Sequence, residues 1–264
     1  MHHGIRRRRA RRLRVVWTGG EVLVTVGVVL LLLVVHQLWW TNLQARRGAE
    51  RKVEALEREW KWRGGGSGSS GSPASGGLDS SGSSSSSSST SSSSSLPRTG
   101  VGGSARSYEG DPGTSRAYAV LVVPRLGLRV PVAEGVGKRD VLNKGYVGHY
   151  PGTQQPGQAG NFAVAGHRNT HGEPFRYLPR LRVKDTVEVE TGAATYTYVV
   201  DQVLPQTSSR DSGVVRAVPR SLVKPGYGYR SPGHYLTLTT CTPEFTSKYR
   251  LVVWGKLASV RPRA

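Results

Sequence analysis

The chain has 264 residues, with 37 Lys and Arg against 17 Asp and Glu, and a single cysteine, Cys241. One cysteine excludes an intrachain disulfide framework and leaves a thiol that is either inert in a core or kept for its reactivity. The net charge of +20 is spread along the chain, +9 in residues 1–63, +1 in 64–107 and +10 in 108–264. Nucleic-acid binders gather such charge into a stripe with a recognised motif, so nucleic acid is set aside as a partner and an anionic cell envelope fits better.

Residues 1–14, "MHHGIRRRRARRLR", form a basic tail with seven arginines between Arg6 and Arg14. Residues 15–41 follow as an apolar segment. From Val22 to Trp40 nineteen positions are almost all apolar, and Trp39 and Trp40 stand where an interfacial aromatic belt would lie. This predicts a transmembrane signal-anchor with its N-terminus in the cytoplasm and the rest of the chain outside. A cleaved signal peptide fits less well, because the apolar stretch is long and no small-residue cleavage pattern follows it.

Residues 42–63 carry mixed charges at helical spacing and few apolar positions, which predicts a solvated juxtamembrane helix, although Gly48 weakens it. Residues 64–107 are a Ser/Gly-rich tether with almost nothing to bury. A random coil of that composition reaches about 35 Å. The first 107 residues are thus expected to contribute little to a packed core.

Residues 108–264 form the remaining domain, and they read as all-β. Runs such as "AYAVLVVP", "LRVPVAEGV", "NFAVAGH", "DTVEVETG", "TYTYVVDQVL", "HYLTLTTC" and "RLVVWGKLAS" are separated by Gly, Pro and Asn breaks. Many short strands with turn signals predict a barrel or a sandwich. One or two short helices are expected, around Lys138–Lys144 and Pro174–Leu178.

Three residues in this domain stand at strand termini and could carry chemistry together. Cys241 ends "YLTLTTC", His167 ends "NFAVAGH", and Arg250 opens "RLVVWGKL" nine residues after the cysteine. Each has a plain structural explanation alone: a packed thiol, a satisfied histidine, a solvated arginine. Jointly they form an acyl-transfer set, in which a thiolate attacks a carbonyl, an imidazolium protonates the leaving amine and a guanidinium holds the oxyanion. The other histidines have weaker cases, with His2, His3 and His36 in the anchor region and His149, His171 and His234 in turns. No acidic cluster suited to calcium is visible, so neither a metal nor a cofactor is expected.

The stretches "GHYPGTQQPGQAGNFAVAGHRNTHGEPFRYL" and "YLTLTTCTPEFTSKYRLVVWGKL" resemble the sortases, most closely the class E sortases of high-GC Gram-positive bacteria. The opening strands "YAVLVVPRLGLRVPVAEGV" are similar as well, so that the resemblance covers about residues 117–257. It implies a closed sortase-like β-barrel and a transpeptidase that cuts a sorting signal between Thr and Gly through a thioester. The donors implied are secreted proteins bearing that signal, and the acceptor is an amine of the peptidoglycan precursor. Carried onto this sequence, the resemblance implies Cys241 as nucleophile, His167 as acid/base and Arg250 as oxyanion and substrate clamp. The active pair it implies is a minority thiolate–imidazolium form. Tyr150, in "HYPGT", is implied in the substrate pocket. Thr239 and Thr240 line the approach to the cysteine and are equally plain β-formers.

Class E members are associated with LAxTG signals, whereas the tether itself carries "LPRTG" at Leu96–Gly100. No apolar span and basic tail follow it, so it is not an ordinary wall-anchoring signal. Three readings stay open: coincidence of linker composition, self-processing between Thr99 and Gly100, and a pseudo-substrate that contacts the active site within the chain. Two rival functions also remain, an L,D-transpeptidase-like acyltransferase and a non-enzymatic membrane-tethered surface module. The first expects a compact His–Gly–Cys–Arg cluster that "TTCTPEF" lacks, and the second has no use for the three converging residues.

Overall fold

A computed structural model describes residues 3–65 and 116–263. The Leu96–Gly100 string, nearly all of the serine tether and the expected domain start at 108 lie outside the described residues.

Helix α1 runs unbroken from His3 to Gly65. Its apolar part is long and apolar enough to cross a membrane, and the side chains from Val22 to Val35, with Trp39 and Trp40, are exposed. From Asn42 onward the same helix changes character. Ala45, Ala49, Val53, Leu56 and Trp60 are buried, and their spacing of four, four, three and four places them on one stripe. Val53, Leu56 and Trp60 pack on Ala117, Val120, Ala133 and Val141.

The solvated helix expected at 42–63 is therefore corrected. The stripe is narrow, two of its five members are alanine, and the charges around it dominate the composition. Burying Val53, Leu56 and Trp60 contributes about 1.5–3 kcal/mol apiece. The ion pairs beside the stripe, Glu59 to Arg116 at 3.2 Å and Glu57 to Arg129, are solvent-exposed and contribute at most about 1 kcal/mol each. Apolar contact thus decides the docking. Close approach is built in at Gly145, where a Cβ would meet the Ala45 carbonyl oxygen at 2.9 Å and where φ is +80°.

Eight strands among the described residues close into a barrel: β1 (Ala117–Val123), β2 (Leu128–Glu134), β3 (Val147–His149), β4 (Gly160–Ala165), β5 (Thr186–Thr191), β6 (Ala194–Ser208), β7 (His234–Thr242) and β8 (Tyr249–Pro262). Their order around the barrel is β1-β2-β3-β4-β7-β8-β6-β5. The β2/β3 and β4/β7 pairs are parallel and the others antiparallel. In place of the one or two helices expected, four 3₁₀ turns occur among the described residues, at Pro124–Leu126, Leu142–Lys144, Leu178–Arg180 and Ser212–Val215. Two of them overlap the segments that were expected to be helical.

The interior is filled by side chains of alternating strand positions, including Leu121, Val132, Phe162, Leu236, Leu238 and Val253. β1 has no polar alternation because both of its faces are covered. Ala119, Leu121 and Val123 face the interior, while Ala117 and Val120 lie under α1. Across the barrel, Leu204, Val214, Tyr229, Tyr235, Val252 and Trp254 form a second covered wall. There the Trp254 indole donates to the Val214 carbonyl at 3.2 Å.

The β6–β7 connection that covers this wall is folded around Asp211. The buried Asp211 carboxylate accepts from Thr207 Oγ1 at 2.6 Å, Ser221 Oγ at 2.5 Å and the Leu222 amide at 2.9 Å. Burial alone would raise its pKa, but the bonds from Ser221, Thr207 and the Leu222 and Val223 amides hold it below the usual value.

Candidate active site

Strand parity decides which side chains can meet. Leu236 and Leu238 of β7 and Leu251 and Val253 of β8 point inward. Cys241 and Arg250 are out of phase with them and therefore share the outer face. The two are direct cross-strand partners in the β7–β8 ladder. On the other side of β7, β4 runs parallel to it, with Ala165 level with Thr239. The Gly166 amide donates to the Thr239 carbonyl at 3.1 Å and carries the pairing one residue further. His167 follows at the level of Cys241, on the neighbouring strand end and in phase with the outward positions of β4. One strand spacing, about 4.8 Å, separates each of these adjacent chain ends. The order across the site is thus His167, Cys241, Arg250, and the thiol at its centre is half-buried.

His167 is held from outside the sheet. Its Nε2 lies 2.9 Å from Asn143 Oδ1. A side-chain carbonyl only accepts, so Nε2 carries the proton and Nδ1 is the basic nitrogen. The ring stacks on His171 with centroids 5.4 Å apart. Burial, then the charges of His171 and Lys138, push the His167 pKa down to about 4. Burial lowers that of His171 as well.

Two arginines serve this region differently. Arg168 reaches back across the strand gap, donating to the Cys241 carbonyl at 3.3 Å and to Thr242 Oγ1 at 3.0 Å. It ties the loop after β4 to the end of β7. Arg250 donates through Nη1 to the Ser247 and Tyr249 carbonyls at 2.8 and 2.9 Å, which closes the loop between β7 and β8.

The residues expected near the substrate separate by face. Thr239 shares the outer face with Cys241, and its hydroxyl donates to the Val164 carbonyl at 3.3 Å. Its oxygen lies 3.0 Å from the Tyr150 hydroxyl, which brings Tyr150 onto the same wall. Thr240 points to the other face, is buried, and donates to the Gly166 carbonyl at 2.8 Å. Its place is under the turn that precedes His167.

Asn143, Arg168 and His171 were not foreseen as parts of this site. Asn143 and His171 lie in loops whose return to the sheet has no periodic signal. The adjacency of Arg168 to His167 was visible, but its partner on β7 was not. Within the loop after β4, the buried atoms Arg168 Nε, Asn169 Oδ1 and His171 Nδ1 have no hydrogen-bond partner among the described residues. No group of three or more His, Cys, Asp or Glu suited to a metal ion occurs among those residues.

Comparison with known proteins gives three kinds of match. A family model described as the Sortase domain matches residues 121–258. Sortase SrtE1 of Streptomyces coelicolor is 39% identical over 250 residues, which cover 93% of this chain and 58% of that one. Sortase SrtE2 of the same organism is 33% identical over 243 residues, covering 90% of this chain and 80% of the relative. The chain thus spans little more than half the length of the first of these relatives. The crystal structure of Sortase E1 from Streptomyces coelicolor, with a tripeptide in its active site, superposes with a TM-score of 0.53 at 48% identity. It covers 58% of this chain and 93% of that one. The SrtA sortase from Actinomyces oris gives 0.50 at 34% identity, covering 58% and 86%.

Proposed function

The chain belongs to the sortase family, and from that premise we propose that it is a cysteine transpeptidase held in the membrane by α1. The N-terminus is cytoplasmic and the barrel extracellular. Its donor substrates are secreted proteins bearing an LAxTG- or LPxTG-type sorting signal, which it cleaves between Thr and Gly. Its acceptor is an amine of the peptidoglycan precursor.

The Cys241 thiolate attacks the threonine carbonyl carbon, and the carbonyl electron pair moves onto oxygen. Arg250 supplies donors to that oxyanion and clamps the peptide. As the intermediate collapses, the C–N bond breaks and the His167 imidazolium gives its proton to the departing glycine amine. A thioester to Cys241 remains. The acceptor amine then attacks it, neutral His167 takes the proton, and the sulfur leaves as thiolate. Because His167 is neutral down to about pH 4, the imidazolium form competent for the first step is a minority at neutral pH.

The observation that carries this reading is the register: Cys241 opposite Arg250, with His167 on the next strand end and the same face. The tripeptide in the active site of the Streptomyces coelicolor enzyme supports a peptide substrate here. Thr239 and Tyr150 are assigned to the substrate-facing wall.

The test is cleavage of LAxTG and LPxTG peptides with a panel of amine acceptors. Thiol-dependent release of the glycine fragment and its loss in Cys241→Ala are expected. Inertness toward both peptides would remove the reading. Leu96–Gly100 enters the same assay through the mass of the purified chain. A cut between Thr99 and Gly100 in the wild type but not in Cys241→Ala makes it a self-processing site, and an intact chain excludes self-processing and leaves coincidence of linker composition or a pseudo-substrate contact.

A further inference from the structure

We propose that Asn42 and Arg46, in the part of α1 that follows the apolar span, are positioning residues for His167, so that the anchor helix is part of the active-site framework. The inference rests on the reading of His167 as the acid/base.

The loop from His167 to Glu173 is unusual in its backbone. His171, Gly172 and Glu173 lie in succession at φ of +51°, +85° and +51°, a region that L-residues other than glycine rarely adopt. Such a run persists only where surrounding contacts over-determine it. Those contacts come from α1. Asn42 accepts from the Gly172 amide through Oδ1 at 3.1 Å and donates to Glu173 Oε1 at 2.8 Å. Arg46 donates to the Gly172 carbonyl at 3.1 Å and to Glu173 Oε2 at 3.0 Å. Two side chains one helical turn apart thus hold both backbone groups of Gly172 and both oxygens of the next carboxylate.

The Glu173 side chain is only 6% exposed, so its charge needs these partners. Its third partner, Arg176 at 2.8 Å, also pairs with Glu244 at 3.2 Å, in the loop that follows Cys241. The second contact of His167 is tied to the same helix. Asn143 lies two residues before Gly145, which packs on the Ala45 carbonyl. Both neighbours that fix the imidazole, Asn143 and His171, therefore lie within two residues of a contact with α1. The titratable groups facing His167 are His171 and Lys138, and those meeting at the clamp are Arg46, Glu173 and Arg176.

The test uses the full chain in lipid nanodiscs, comparing wild type with the double variant Asn42→Ala/Arg46→Ala. Glu59→Ala is the control, since it removes α1 ion pairs to Arg63 and Arg116 far from the loop. Histidine-selective NMR reads the protonation midpoint of His167, and hydrogen exchange reads residues 166–176. In the double variant the midpoint is expected to rise by about one pH unit as the site loosens and hydrates, and exchange to accelerate. Peptide cleavage should lose about tenfold in kcat with KM nearly unchanged, because the histidine is misplaced and substrate binding is not. Glu59→Ala should match wild type. An unchanged midpoint and exchange in the double variant, or the same shift in Glu59→Ala, overturns the inference. A chain inert toward every peptide but with the shifted midpoint removes the enzymatic reading and leaves the coupling in place.

Discussion

The two sides of the candidate site are built by different means. Cys241 and Arg250 are fixed by the β7–β8 ladder, in which each is the other's partner, over a wall that includes Val252 and Trp254. His167 stands past the end of β4, held by Asn143, His171 and, through the following loop, by α1. Backbone register places one side and side-chain contacts place the other. The cysteine side should therefore yield only when the barrel itself is damaged, while the histidine side should be tunable without loss of fold.

Replacing the proposed nucleophile should give the largest effect: Cys241→Ala is expected to abolish cleavage in the peptide assay while leaving the thermal midpoint close to wild type. Breaking the ladder side through its support costs stability instead. Trp254→Ala removes a fully buried side chain and its bond to Val214, and should destabilise by about 3–5 kcal/mol in urea titrations, with activity lost in step with folding. The histidine side should answer differently. Asn143→Ala removes the partner of Nε2 and frees the tautomer, so kcat/KM should fall about tenfold while stability changes by about 1 kcal/mol.

The histidine side can also be read through its pH dependence. The folded pKa of His167, about 4, lies below its ordinary 6.5, so between these values the unfolded chain binds more protons than the folded one. Its contribution to stability is complete above 6.5, falls through that window as pH drops, and levels off below about 4. The difference in urea midpoint between wild type and His167→Asn should therefore change between pH 7 and pH 4.5. A constant difference would mean that the folded environment does not lower the His167 pKa.

This contrast also explains what could be read in advance. Seven of the strands were legible because their turns and apolar runs are local signals, as in "HYLTLTTC" and "RLVVWGKL". The three-residue β3 was missed, since "VGH" is too short to carry a period. The meeting of Cys241 and Arg250 was legible from a nine-residue spacing that fits a hairpin. The docked stripe of α1 was hidden by the charges between its members. The contacts of Asn143, His171 and Glu173 arise from loops whose return path has no pattern in the sequence. Thr239 and Thr240 looked equivalent, and only the parity of β7 separates them.

An uninterrupted α-helix is also a ruler. If Trp40 marks the lipid interface, a rise of 1.5 Å per residue sets Asn42 about 3 Å and Arg46 about 9 Å above it. The turn they grip would then hover at the height of the phosphate headgroups. Trp60, whose ring lies beside Gly192, would stand about 30 Å above Trp40. A barrel mounted in this way would work against the lipid surface with its histidine edge lowest. Peptide segments still tethered to that bilayer would come within its grasp, while segments far from the lipid would lie beyond it.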